Sequence, residues 1–166
     1  MILVSACLLG HKVKYNGGSN ANELLLRYSE SGRFLPVCPE CLAMLPVPRL
    51  PMEIVGGSGA QLLAGHTRAV DANGMETSSY LIDGAQKVLA MVKAYHVRVA
   101  IFKEGSPSCG VHKAHDGSFT GRKVKGSGVT TALLRRNGVK IYSEKDMTAR
   151  RLEALIQEDL RFDQIS

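Results

Sequence analysis

Three short apolar runs in this chain each lead to a cysteine. Ile2 to Cys7 and Phe34 to Cys38 end on the cysteine itself, and Val97 to Phe102 runs into Lys103-Glu104-Gly105-Ser106-Pro107-Ser108-Cys109-Gly110. A short apolar run bounded by glycine, proline and serine reads as a buried strand followed by a turn. Between the runs the pattern switches to helical spacing. Glu23 to Ser31 is one such stretch. A longer one begins at Thr77, Ser78 or Ser79 and carries Leu81, Ile82, Ala85, Leu89 and Val92 on one face. Val129 to Arg136 and Lys145 to Leu160 are two more, with a last strand, Val139 to Tyr142, between them.

Strand, helix, strand, helix predicts an α/β chain, a single-domain Rossmann-like three-layer fold with a mainly parallel sheet over residues 1–166. In such sheets the ligand crevice lies outside the carboxyl ends of the strands. Cys7, Cys38 and Cys109 are therefore expected along one edge of one sheet. The segment "LPVPRLP" carries too many prolines for a helix. Ile54 to Ser79 reads as a hairpin or excursion with an Asn73-Gly74 turn, and Ala114 to Gly128 as a glycine-rich basic loop.

Composition narrows the function. No stretch approaches the roughly 18 apolar residues of a membrane span, and the amino-terminal order, apolar residues before lysines, is wrong for a secretory signal. A cytoplasmic location with reduced thiols is expected. The net charge of +6 favours an anionic partner only weakly, and the absence of Trp argues against a stacking platform for single-stranded nucleic acid. A nucleic acid is thus the lesser alternative to a small molecule, and the oligomeric state is left open.

The four cysteines, Cys7, Cys38, Cys41 and Cys109, point to metal or redox chemistry. The residues alone leave several sets open. Three thiolates suit an iron–sulfur cluster with one open iron. Cys38, Cys41, Cys109 and His112 would suit zinc, with Lys123 and Lys125 meeting the phosphates of an RNA. Cys38 and Cys41 alone form a C-x-x-C pair of the thiol–disulfide kind. Glu40, between those two, is the carboxylate placed to act as a base. Ser106 and Ser108 flank Cys109, where they serve either a substrate or the turn itself. Lys103 stands in the same segment. The loop Lys125-Gly126-Ser127-Gly128 precedes a helix and invites an anion at the helix start.

The ordered pieces "SACLLG", "VCPECLAMLPVPRLPMEI", "KEGSPSCG", "DGSFTG" and "GSGVTTALLRRNGVKIYSE" resemble a bacterial domain-of-unknown-function family that includes the thiouracil desulfidases. The resemblance covers nearly the whole chain. It implies a [4Fe–4S] cluster with three cysteine ligands, Cys7, Cys38 and Cys109, and one open iron that takes the sulfur of a thiolated nucleobase. It also implies an assisting glutamate and serine, which by motif are Glu40 and Ser106, with Ser108 the competing serine; Ser108 and Lys103 are the candidate substrate contacts. The implied reaction is non-redox, C=S to C=O with sulfide release. Two positions depart from the pattern: Cys41 stands where an apolar residue is expected, and Lys14 where an arginine is.

Overall fold

The structure, a computed structural model, describes residues 1–165. Ser166, the last residue of the expected unit, lies outside them. In chain order the elements are β1 (Ile2–Ser5), α1 (Glu23–Arg27), β2 (Phe34–Val37), α2 (Pro39–Leu42), β3 (Met52–Ile54), α3 (Gly59–Leu63), β4 (Ala69–Asp71), α4 (Ser78–Ala94), β5 (Val99–Phe102), β6 (Lys113–His115), β7 (Lys123–Lys125), α5 (Val129–Arg136), β8 (Lys140–Ser143) and α6 (Ala149–Ile165). Strands β2, β1, β5 and β8 form one sheet in that order, parallel at every pairing. Leu3 lies beside Leu35 on one side and Ala100 on the other. The chain moves outward from β1 to β2, then returns to the far side of β1 for β5 and β8. The winding reverses between β1 and β5, which is where an α/β crevice opens.

Alternation along the strands divides the core in two. Leu3, Ala100, Phe102 and Ile141 meet Val88 and Val92 of α4 and Leu134 of α5. Ile2, Val4 and Ile101 meet Leu25 of α1 and Leu152, Leu155 and Ile156 of α6. Helices thus cover both faces of the sheet, the three-layer arrangement expected. Each fully buried Leu, Ile or Phe contributes about 1.5–3 kcal/mol by leaving water. A third, smaller cluster joins the antiparallel pair β3–β4 and α3 to α4 and α5 through Met52, Ile54, Leu62, Leu81 and Val129.

Several local expectations are corrected. Helix α1 stops at Arg27, and a 3-10 turn, Ser29–Ser31, completes the stretch. The final helix begins at Ala149, because Ser143 and Asp146 cap a separate 3-10 turn, Glu144–Asp146. The excursion contains the helix α3, and the Asn73-Gly74 turn follows β4 instead of joining β3 to it. Thr77 begins α4 without a side-chain cap, and its buried hydroxyl has no partner. The basic loop carries the hairpin β6–β7. The three residues of each of these strands are too few for a periodicity to register.

Two glycines fix the site's supports. A Cβ on Gly84 of α4 would sit 2.3 Å from the Pro39 carbonyl oxygen, and one on Gly128 would sit 2.4 Å from the Ser108 carbonyl carbon. Helix α4 therefore presses directly on α2, and the start of α5 directly on the turn before Cys109. No helix among the described residues is long and apolar enough to cross a membrane.

Candidate metal centre

At the carboxyl ends of β1, β2 and β5 lies a cavity of about 490 Å³, and Cys7, Cys38 and Cys109 all line it. Cys7 sits on the 3-10 turn Ala6–Leu9 directly after β1. Asn20 returns to it, donating its backbone N–H to the Cys7 carbonyl at 2.9 Å and hydrogen-bonding the sulfur with its side chain. Cys38 occupies the position before α2, where Pro39 opens the helix. Cys109 is 5% exposed and is hydrogen-bonded by the Ser5 side chain from the end of β1.

Burial dominates the acidity of all three thiols. It pushes Cys7 up, pushes Cys109 well up, and with the neighbouring Cys41 pushes Cys38 up to about 12. Negative charge on Cys38 or Cys7 raises Cys109 further, so the three sulfurs share one electrostatic environment. Three thiolates in such a place require a strongly cationic centre among them. All four cysteines are free.

Among the described residues no three His, Cys, Asp or Glu side chains gather closely enough for a single metal ion. Four donors around one zinc must each approach to about 2.0–2.3 Å. A cubane is different: each thiolate meets its own iron, and the sulfurs stand apart by the width of the cluster. A cavity with a thiol from each of three separate turns suits a group that takes one thiolate at each of several irons. The zinc set does not assemble. His112 is 55% exposed in its side chain and turns away to Asp146, Nε2 to Oδ2 at 2.8 Å, and Cys41 is absent from the cavity wall. The C-x-x-C pair opens a helix of only four residues. Its Cys38 thiol is raised, the opposite of the lowered thiol that thiol–disulfide exchange uses.

Glu40 lines the cavity from α2, and the structure completes its surroundings with a residue the sequence did not single out. Arg49, from the proline-rich segment, donates to Glu40 Oε2 through Nε at 3.0 Å and through a second guanidinium nitrogen. It also donates to the carbonyls of Val13, at 2.9 Å, and Pro46, at 3.2 Å. Its side chain is 6% exposed. The other carboxylate oxygen, Oε1, accepts from Ser108 Oγ at 3.3 Å. Ser106 does different work: its hydroxyl oxygen accepts the backbone N–H of Ser108 at 3.1 Å and of Cys109 at 3.2 Å. Both serines line the cavity, and the Ser106 hydroxyl retains its hydrogen for a partner there.

A second buried carboxylate shapes the turn. Glu104 Oε1 accepts the N–H groups of Gly105, Val111, His112 and Lys113 at 2.8–3.3 Å. Burial alone would raise this carboxyl, but the four N–H donors outweigh it and hold it below its ordinary value. From the other side, α5 spends its first N–H groups on the same turn. Val129 donates to the Pro107 carbonyl at 2.8 Å and Thr130 to that of Ser108 at 3.0 Å. The helix start is therefore filled by protein carbonyls, and the anion invited there by the sequence has no donors left. Lys103 lines the cavity with its ammonium held by the Glu104 carbonyl at 3.0 Å and Glu144 Oε1 at 3.3 Å. Lys123 and Lys14 line it too, whereas Lys125 does not.

The sequence matches the 2-thiouracil desulfurase family over residues 2–146. It is 40% identical over 147 residues to the uncharacterized protein YbbK of Bacillus subtilis (strain 168), covering 89% of this chain and 97% of that protein. Among solved structures it is similar to the [4Fe-4S]-dependent thiouracil desulfidase TudS, with a TM-score of 0.78 and 38% identity over 88% of this chain and 91% of that one.

Proposed function

The chain belongs to the 2-thiouracil desulfurase family, and from that premise we propose that it is a desulfidase that replaces the sulfur of a thiolated pyrimidine, such as 2-thiouracil, with oxygen from water. The observation that carries the reading is the convergence of Cys7, Cys38 and Cys109 on a cavity whose wall also bears Glu40, Ser106 and Ser108. In this reading Cys7, Cys38 and Cys109 hold a [4Fe–4S] cluster. When bound, that cluster supplies a Lewis-acidic iron with an open position for the substrate's sulfur.

The chain's own residues do the rest. Glu40 accepts a proton from a water at the cavity wall, and the water's oxygen attacks the carbon that bears sulfur. Arg49 fixes the plane of the carboxylate by occupying Oε2, which leaves Oε1 toward Ser108 and the cavity. Ser108 holds or passes the proton gained there. Ser106 turns its free hydroxyl hydrogen toward the substrate while its oxygen keeps the turn in shape. Lys103 sets a positive charge beside Cys7, which favours the thiolate. Water and thiouracil yield uracil and hydrogen sulfide, with no electrons gained or lost. The reading requires reduced thiols and a cluster shielded from oxygen, which a cytoplasmic setting would provide.

Anaerobically reconstituted protein is expected to convert 2-thiouracil to uracil with one sulfide released per uracil formed. Protein that carries its full iron and acid-labile sulfide but forms no uracil would sink the reading.

A further inference from the structure

One part of the cavity's wall is not used by the reaction above. It consists of Glu53 on β3, His115 on β6, Phe119 on the loop between β6 and β7, and Lys123 on β7. Glu53 is a carboxylate 8% exposed. Its Oε1 accepts the N–H groups of Gly117 at 3.0 Å and Phe119 at 3.2 Å. Its Oε2 has no hydrogen-bond partner among the described residues. That oxygen is not sealed from solvent, so it is free to accept a hydrogen bond from a ligand in the cavity.

Phe119 carries a second mark. It is a non-glycine residue at φ +58°, a conformation a bulky side chain seldom adopts. The Glu53 carboxylate holds it there by accepting its N–H, and the residue lines the cavity. Strain kept by a buried partner at a cavity is a mark of function. His115 carries a third. Its Nδ1 is buried without a partner, so the tautomer that costs least places the hydrogen on Nε2. Lys123 brings its ammonium beside Gly105, and no carboxylate pairs with it among the described residues.

We propose that Glu53, His115, Phe119 and Lys123 form a recognition subsite for a planar heterocycle with a lactam edge, an N–H beside a carbonyl. Glu53 Oε2 accepts the ring N–H, His115 or Lys123 donates to the carbonyl, and Phe119 covers the ring face. The inference rests on the desulfidase reading for the identity of the heterocycle, but its test does not. Uracil has the lactam edge and no sulfur, so its binding is read without turnover, and the Glu53 and Phe119 variants assign it to this wall.

The experiment measures uracil and 1,3-dimethyluracil binding by calorimetry on cluster-loaded protein, with 2-thiouracil turnover measured in parallel. Wild type should bind uracil at least about tenfold more tightly than the dimethyl compound, which has no N–H to donate. Glu53→Gln should weaken uracil by roughly tenfold and erase that preference. Phe119→Leu should weaken both ligands alike, by about tenfold, as a lost stacking face does. Iron content should stay at the wild-type level in both variants. Should Glu53→Gln misfold, the wild-type preference between the two ligands and the Phe119→Leu measurement still decide. Wild-type protein that binds the two ligands equally, or binds neither, overturns the subsite. Uracil binding as proposed with no sulfide release from 2-thiouracil overturns the desulfidase reading and leaves the subsite standing.

Discussion

Ser108 Oγ donates to Glu40 Oε1 at 3.3 Å across 68 residues of sequence, tying the turn that carries the third thiol to the helix that follows the second. The two serines beside Cys109 therefore have separable duties. Ser108→Ala is expected to slow 2-thiouracil turnover by roughly tenfold or more, the scale of a proton-handling contact, with little change in iron content. Ser106→Ala removes the acceptor of two backbone N–H groups together with the hydroxyl turned toward the substrate, and is expected to cost about 1 kcal/mol of stability besides a loss of turnover. Urea unfolding of both variants beside steady-state kinetics separates the two effects. Equal kinetic loss with equal stability would merge their roles.

The Arg49–Glu40 pair predicts an asymmetry between substitutions. Arg49→Met strands a carboxylate that is 13% exposed in its side chain, and is expected to destabilise the protein on the order of 3 kcal/mol. Arg49→Lys keeps the charge but loses the planar fork that grips Oε2 and the two backbone carbonyls. It should recover part of the stability and little of the activity. Denaturant midpoints and kcat for the two variants provide the check.

Glu104 makes the protein sensitive to acid. Its carboxyl lies below the ordinary 4.5 when folded, so the folded state binds the proton less readily than the unfolded chain. The stability it contributes is fully present above 4.5 and is lost as pH falls through the lowered folded value. Glu104→Gln should cost about 1–3 kcal/mol at neutral pH and flatten the stability–pH curve within that window. An unchanged acid limb in the variant would show that another carboxylate governs it.

Ligand assignment can be read from iron. Cys7→Ser, Cys38→Ser and Cys109→Ser are each expected to lose most of the iron and acid-labile sulfide after anaerobic reconstitution, with at least hundredfold lower activity. Cys41→Ser should retain both, since Cys41 lies off the cavity wall. A Cys41→Ser protein poorer in iron than the other three would reassign the ligand set.

The sheet and its rim were legible because β1, β2 and β5 are apolar runs that stop at turn residues; β1 and β5 are buried inside the sheet, and the edge strand β2 keeps the same trace although it is only partly buried. The cysteines inherited their place from those strands. Other site residues had no such trace. Glu53 reaches Phe119 across 66 residues, and Arg49 meets Glu40 only because the proline-rich segment folds back over α2. Glu104 looked like one more charge at a strand end. Its importance comes from backbone N–H groups up to nine residues further on, all collected by one oxygen. Lys123-Val124-Lys125 alternates as a strand should, but three residues are too few to distinguish a hairpin from a basic loop.

The three thiols stand at the rim of the sheet, where Cys109 joins the aliphatic cluster on one face and Cys7 packs against the cluster on the other. A small zinc domain comes apart when its ion is removed, because the ion is the core. Here most of the core is made of aliphatic side chains from the strands and from α1, α4, α5 and α6. In the reading proposed above, removing the cluster is expected to leave most of the sheet and its helices folded, so that a chelator-treated chain remains a receptive shell for fresh iron and sulfide.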